Sequence, residues 1–253
     1  MPTVKRLVKG LAARVSRSWM WLQGLWGPRH CQCNCCGAAV AGFYSYGGRP
    51  FGCPYCQSST RERWVLYSLD TGQLTEPAVE GRMLHVAPSE RSLIKRFGQQ
   101  PGYHPVDLFP ELYPWAATEP LDLMALNVAE EYRLVYLSHV MEHVPDDSLV
   151  LSNLYRALKP GGEAWLLVPL KDAPTREGRP GMSASERERE FGQWDHARQY
   201  GPDFQQRLES VGFAVRIVRP DQLASQDRQK FGLDPTDWIF VARKSSFTTN
   251  SVG

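Results

Sequence analysis

The sequence predicts an α/β fold, a doubly wound and mainly parallel sheet, and three observations predict it. From Arg82 onward, strand-like stretches ("RMLHVA", "YHPVDL", "RLVYLS", "EAWLLVP") alternate with helix-like ones ("SERSLIKRF", "DDSLVLSNLYRAL", "GPDFQQRLESVG"). Strands alternating with helices build parallel sheets through crossover connections. "LKPGGEAWLLV" reads as a helix end, a Pro-Gly-Gly turn and a buried strand. "FAVRIVR", followed much later by "WIFVAR", reads as a closing strand pair, antiparallel at one edge.

The chain's 253 residues suffice for one such domain and a small module. The segments divide as 1–30, a basic arm; 31–60, a cysteine module; 61–80, a helical connector around "RERWVLYSL"; 81–243, the α/β domain; and 244–253, a tail. Charge is lopsided. Residues 1–61 hold eight Lys or Arg and no acid, whereas the rest holds 21 basic and 27 acidic side chains. A basic front on an acidic body points to an anionic partner. Residues 4–26 place Val4, Leu7, Val8, Leu11, Val15, Trp19, Leu22 and Trp26 at helical steps, with Lys5, Arg6, Lys9, Arg14 and Arg17 as the polar side. Three readings stay open for this basic amphipathic helix: docking on the protein's own body, peripheral contact with a membrane surface, or a transit peptide. Apolar runs fall well short of the ~20 residues a membrane span needs, and an apolar secretory core is missing. The expected location is the cytoplasm, with the membrane periphery as the second option.

All six cysteines lie in residues 31–60. Cys33-x2-Cys36 and Cys53-x2-Cys56 are 16 residues apart. A two-residue gap lets both thiolates face one ion, and two such knuckles complete a tetrahedral Zn site. "AVAGFYSYGGRPFG" between them reads as a hairpin, giving a zinc ribbon, with disulfides as the competing reading. Cys31 and Cys35 are spare, so either is a possible substitute ligand. A structural or substrate-docking role is expected of the ribbon in preference to RNA binding.

"YRLVYLSHVMEHVPDDSLVLSNLYRALKPGGEAWLLVPL" resembles the fourth strand, helix and fifth strand of class I S-adenosylmethionine-dependent methyltransferases. "MLHVAPSE" and "DHARQYGPDFQQRLESVGF" resemble segments of a bacterial subgroup of that family carrying an N-terminal four-cysteine zinc ribbon. The resemblance covers roughly residues 31–243 and implies a Rossmann-like methyltransferase fold with S-adenosylmethionine and Zn as cofactors. It departs from the family at the cofactor loop, which lacks glycine. Ala87 and Ser89 are small and Pro88 fixes the turn, so the loop reads as an alternative built differently. The resemblance implies that His85, Ala87, Pro88 and Ser89 meet the donor. It places Asp107 on the ribose hydroxyls, the Asp122-Leu123 pair beside the adenine, and Ser138 with His139 facing the sulfonium. Ligands of open parallel sheets bind at such carboxyl ends of strands.

A hydroxyl acceptor needs a base. His196 is the first candidate, on a polar segment (171–200) that reads as a lid, beside Asp195. His139 comes second and His143, following Glu142 on a helix, third. Arg198 and Tyr200 are candidates for orienting an anionic or hydroxylated substrate. The expected reaction is methylation of a hydroxyl or other heteroatom of a small molecule, saccharide (glycan) or lipid-linked acceptor. The alternatives are an RNA methyltransferase with a docking ribbon, disfavoured by the acidic body, and a non-catalytic binding protein.

Overall fold

The computed structural model describes residues 11, 14–23, 26–46, 49–76 and 81–246. The first half of the basic arm, residues 1–10, lies outside them. So do 12, 13, 24 and 25, and with them much of the expected 4–26 helix; residues 14–23 are helical (α1). The tail beyond residue 246 also lies outside the described residues. The chain forms two compact units: residues 1–76, 90–96 and 219–237 make one, and 77–89, 97–218 and 238–253 the other.

The second unit contains a seven-stranded sheet. Its strands are β5 (Arg82–Val86), β6 (Tyr103–Asp107), β7 (Glu119–Pro120), β8 (Tyr132–Ser138), β9 (Leu158–Leu167), β12 (Ala214–Val218) and β13 (Ile239–Arg243). Their order is β12-β13-β9-β8-β5-β6-β7. β7, β6, β5, β8 and β9 run parallel, while β13 pairs antiparallel with both β9 and β12. The expected edge pair is therefore present. Because β6 lies on one side of β5 and β8 on the other, the connections diverge at the carboxyl ends of β5 and β8. In open parallel sheets ligands bind at such a divergence.

One face of the sheet packs Leu84, Val86, Val106, Val135, Leu137 and Leu166 against Leu151 and Leu154 of α4 (Asp147–Ala157) and Phe204 and Leu208 of α6 (Phe204–Ser210). Each such fully buried side chain contributes about 1.5–3 kcal/mol. Asp146 caps α4, accepting the Leu149 N–H at 2.9 Å. The Pro-Gly-Gly turn lies inside β9 as a bulge: Tyr132 pairs with Leu158, but Leu134 pairs with Glu163. Gly161 has φ +74°, and a Cβ on Gly162 would meet the Lys159 carbonyl oxygen at 2.9 Å, so both positions require glycine.

Residues 171–200, expected as a lid, are an ordered insertion. β10 (Arg176–Glu177) and β11 (Arg198–Gln199) pair antiparallel. α5 (Ala184–Phe191) starts with a Ser183–Glu186 capping box and ends at Gly192, φ +88°.

In the other unit, β1 (Cys31–Gln32) pairs with β2 (Ala39–Val40) and β3 (Tyr44–Tyr46) with β4 (Arg49–Gly52), so the expected central hairpin is joined by a second one. α2 (Thr60–Asp70) lies in the expected helical connector and packs into this unit. Arg63, Trp64 and Val65 on it are wholly buried. The Arg63 guanidinium donates to the carbonyls of Ser58, Phe231 and Gly232 and lies 3.9 Å over the Phe43 ring. This unit also holds residues 90–96 of α3 (Arg91–Phe97) and all of α7 (Ser225–Phe231).

Candidate functional site

The strand ends of the sheet carry unusual backbone. Among the described residues, four non-glycine residues have positive φ: Gln57, Ala87, Glu130 and His139. Two of them, Ala87 (φ +51°) and His139 (φ +57°), directly follow the adjacent central strands β5 and β8. L-residues resist this conformation by roughly 1–2 kcal/mol, and such strain concentrates at functional sites. Ala87 thus occupies the backbone region where glycine is usual, held by its N–H on the Val106 carbonyl (2.9 Å). Pro88 is buried and its carbonyl accepts the Trp115 indole N–H at 2.9 Å, while Ser89 is exposed.

Asp107 ends β6. Its Oδ1 accepts the Phe109 N–H at 2.7 Å, which leaves Oδ2 for a ligand, and partial burial pushes its carboxyl above the ordinary carboxylate range. Asp122 is exposed and caps the 3-10 turn Leu123–Ala125 through the Met124 N–H. Leu123 itself faces the core, with its carbonyl held by Asn153. Its side chain is therefore packing, against the expected place beside a ligand. His85 differs similarly from expectation. It is fully buried within β5, with Nδ1 2.8 Å from the Tyr103 hydroxyl and its ring edge-on to Tyr136, so it has no exposed surface to offer the donor. The Ser138 hydroxyl at the end of β8 is buried without a hydrogen-bond partner, a group that a bound molecule would satisfy.

The carboxyl end of β8 also gathers every expected base. Glu142 and His143 lie in a turn between β8 and α4, not on a helix, since α4 starts only at Asp147. His139 Nδ1 stands 3.3 Å from Glu142 Oε1, and His143 Nδ1 stands 3.4 Å from Asp195 Oδ2. The His143 and His196 rings meet edge to face, 4.8 Å apart. Burial raises the Glu142 carboxyl, but the His139 contact and charge outweigh it, and the net direction is down. Burial depresses the His196 ring below its ordinary value. His196 is only 8% exposed, whereas the His139 side chain is 29% exposed, so His139 is the more accessible group.

Arg198 and Tyr200 differ from the expectation of substrate contact. Arg198 donates to the Met141, Val144 and Pro145 carbonyls and to Glu177, and Tyr200 donates to Asp147 Oδ2 at 2.8 Å. Arg207 reaches the same Asp147 oxygen. Both expected substrate residues are buried and fully engaged, and they lock the insertion against the loop after β8. That lock carries Asp195 and His196 to Glu142 and His143.

Sequence reasoning misses the segment after Asp107. Leu108, Phe109, Leu112 and Trp115 are all exposed there. Four large apolar side chains in an eight-residue loop, "LFPELYPW", are the available signal.

In the cysteine unit, Cys33 Sγ lies 3.6 Å from Cys56 Sγ and Cys36 Sγ lies 3.9 Å from Cys53 Sγ. Tetrahedral Zn–S bonds of about 2.3 Å place sulfurs about 3.8 Å apart, so these four thiols fit the ion; neither Cys31 nor Cys35 belongs to the group. The knuckles repeat one turn: Gly37 N–H donates to Cys33 and Gln57 N–H to Cys53. Both residues have positive φ (+76° and +65°).

A family model described as a methyltransferase domain matches residues 70–216. The chain belongs to this methyltransferase-domain family. It is a methyltransferase, hence an enzyme. Solved methyltransferases share the fold. An S-adenosylmethionine-dependent methyltransferase from Mesorhizobium loti is 18% identical, with 73% of this chain and 98% of that one covered and a TM-score of 0.50. One from Archaeoglobus fulgidus is 14% identical, with 73% and 94% covered and a TM-score of 0.51. No curated protein matches the chain. No helix among the described residues is long and apolar enough to cross a membrane.

Proposed function

We propose that this methyltransferase moves a methyl group from S-adenosylmethionine to a hydroxyl of an acceptor with an apolar body, a small molecule or lipid-linked saccharide. The observation that carries the reading is the paired left-handed backbone at Ala87 and His139, at the divergence of β5 and β8. Ala87–Ser89, the Asp107 carboxylate and the orphaned Ser138 hydroxyl supply the contacts for the donor. When bound, the donor supplies an electrophilic methyl on a sulfonium, and the protein's work is alignment and proton removal. His139 is the base. Glu142 faces its Nδ1, which keeps Nε2 for the acceptor's proton. The exposed Leu108, Phe109, Leu112 and Trp115 favour an apolar acceptor over RNA, which asks for basic and stacking surfaces.

Calorimetry with S-adenosylmethionine and S-adenosylhomocysteine tests this reading. Binding is expected, weakened by Asp107→Ala; silence at millimolar donor would leave a non-catalytic binding protein.

The four cysteines hold a structural zinc ion. All four ligands come from the protein, so the ion keeps no open position for chemistry. The basic arm makes peripheral contact with an anionic membrane. The helix touches the ribbon where Ser16 Oγ accepts the Ser45 N–H, while Val15, Trp19, Trp21 and Trp26 are 62, 59, 44 and 86% exposed, and this open apolar face supports the reading. Sedimentation with anionic and neutral vesicles checks it: retention on neither kind removes the membrane role.

A further inference from the structure

We propose that Glu62 is a positioning residue for donor binding. It ties the cysteine ribbon to the helix that follows the donor loop, so that zinc in the ribbon and donor in the loop strengthen each other. The proposal rests on the reading of Ala87–Ser89 as the donor loop.

Ala87 holds a left-handed conformation (φ +51°), and such backbone persists only where its surroundings fix it. The sheet fixes one end of the loop, where the Ala87 N–H donates to the Val106 carbonyl at 2.9 Å. The other end runs through Glu90 into α3, and Ser92 lies three residues past Ser89. A helix leaves its first N–H groups without internal partners. In α3 the Ser92 N–H donates to Glu62 Oε1 at 2.8 Å, and the Ser92 hydroxyl donates to the same oxygen. Glu62 is buried and comes from α2, 30 residues earlier. Hydrogen bonds to a carboxylate are among the strong ones, and a buried carboxylate demands them. α2 thus anchors the start of α3.

α2 is in turn fixed by the ribbon. Ser59 Oγ caps it, accepting the Glu62 N–H at 3.2 Å. Ser58 belongs to the second knuckle. Its carbonyl accepts the Cys53 N–H at 3.1 Å, and its hydroxyl lies 3.3 Å from Cys33 Sγ and 3.2 Å from Cys56 Sγ. The same carbonyl accepts the guanidinium of Arg63, the residue after Glu62. A run of ten residues, 53–62, therefore carries two of the thiols for the ion and the carboxylate that holds α3. An ion that orders the knuckle orders this carboxylate, and a donor that orders the loop orders Ser92. Two ligands that favour one arrangement of a shared element raise each other's affinity by the same factor.

Calorimetry of the full, zinc-loaded chain with S-adenosylhomocysteine tests this beside three variants. Glu62→Ala should weaken binding at least about 10-fold, and Ser92→Ala, which loses one hydrogen bond, about 5-fold. Glu62→Gln keeps an oxygen for the Ser92 donors and should restore most of the affinity. Competition against a zinc chelator gives a readout that a merely structural role would not move. S-adenosylhomocysteine should raise zinc affinity in the unaltered chain and leave it unchanged in Glu62→Ala. Ser92 is half-buried, so its variant carries the test if thermal melting shows Glu62→Ala unfolded. Undiminished S-adenosylhomocysteine binding in the folded variants, or zinc affinity indifferent to S-adenosylhomocysteine in an unaltered chain that binds it, sinks only this coupling. No binding to the unaltered chain sinks the donor reading, and the coupling with it.

Discussion

The two cysteine knuckles and the histidine cluster after β8 are assembled by opposite means. Each knuckle is local: two thiols, a tight turn and one left-handed residue within five positions. The cluster is assembled from Glu142 and His143 on one side and Asp195 and His196 on the other, more than 50 residues away. Its geometry depends on one buried arginine and a shared aspartate. Local constellations are held by turns; distant ones are held by a polar network elsewhere in the fold.

Metal removal should break the local side most severely. A structural zinc ion in a small module contributes on the order of 10 kcal/mol. Strong chelation, or Cys53→Ser, should therefore unfold the ribbon, with lost near-ultraviolet dichroism as the readout. Arg198→Ala should break the distant side next. It strands three carbonyls and two carboxylates and should cost about 3–5 kcal/mol, read as a fall in Tm, and it should loosen His196 as well. Acidity gives a smaller effect. Burial raises the Asp107 carboxyl, so it takes up its proton at a pH above the ordinary ~3.9. Donor affinity, measured by calorimetry, should fall on acidification through that raised value, and Asp107→Asn should abolish this limb. The smallest expected change sharpens the comparison within the ribbon. Gln57 occupies the position that Gly37 fills in the other knuckle, so Gln57→Gly should stabilise by about 0.5–1 kcal/mol in denaturant titrations.

The same contrast explains what the sequence discloses. The knuckle spacing, the strand alternation and the antiparallel edge pair are short-range patterns, and each is visible in a few adjacent letters. Asp107, at a strand's end, can be placed because strand ends are legible. Arg198 and Tyr200 escape a reading of the sequence because their partners, Met141 to Asp147, lie 50 or more residues upstream; no spacing rule connects them. His85 misleads because a polar residue in a strand looks functional until its neighbours are known. Here those neighbours are the hydroxyl of Tyr103 and the ring of Tyr136. The Glu142–His143 turn looks helical because "MEHV" has helical composition, yet the backbone delays α4 to Asp147.

The unit that contains the ribbon is discontinuous along the chain, with Arg63 bonded to the carbonyls of Phe231 and Gly232. During synthesis the knuckles emerge well before those two acceptors, which follow Arg63 by 168 and 169 residues. A buried guanidinium without acceptors is unfavourable, and contacts spanning such a sequence distance form slowly. The ribbon is thus completed long after it is made, so a ribosome stalled before residue 231 should present a protease-sensitive ribbon.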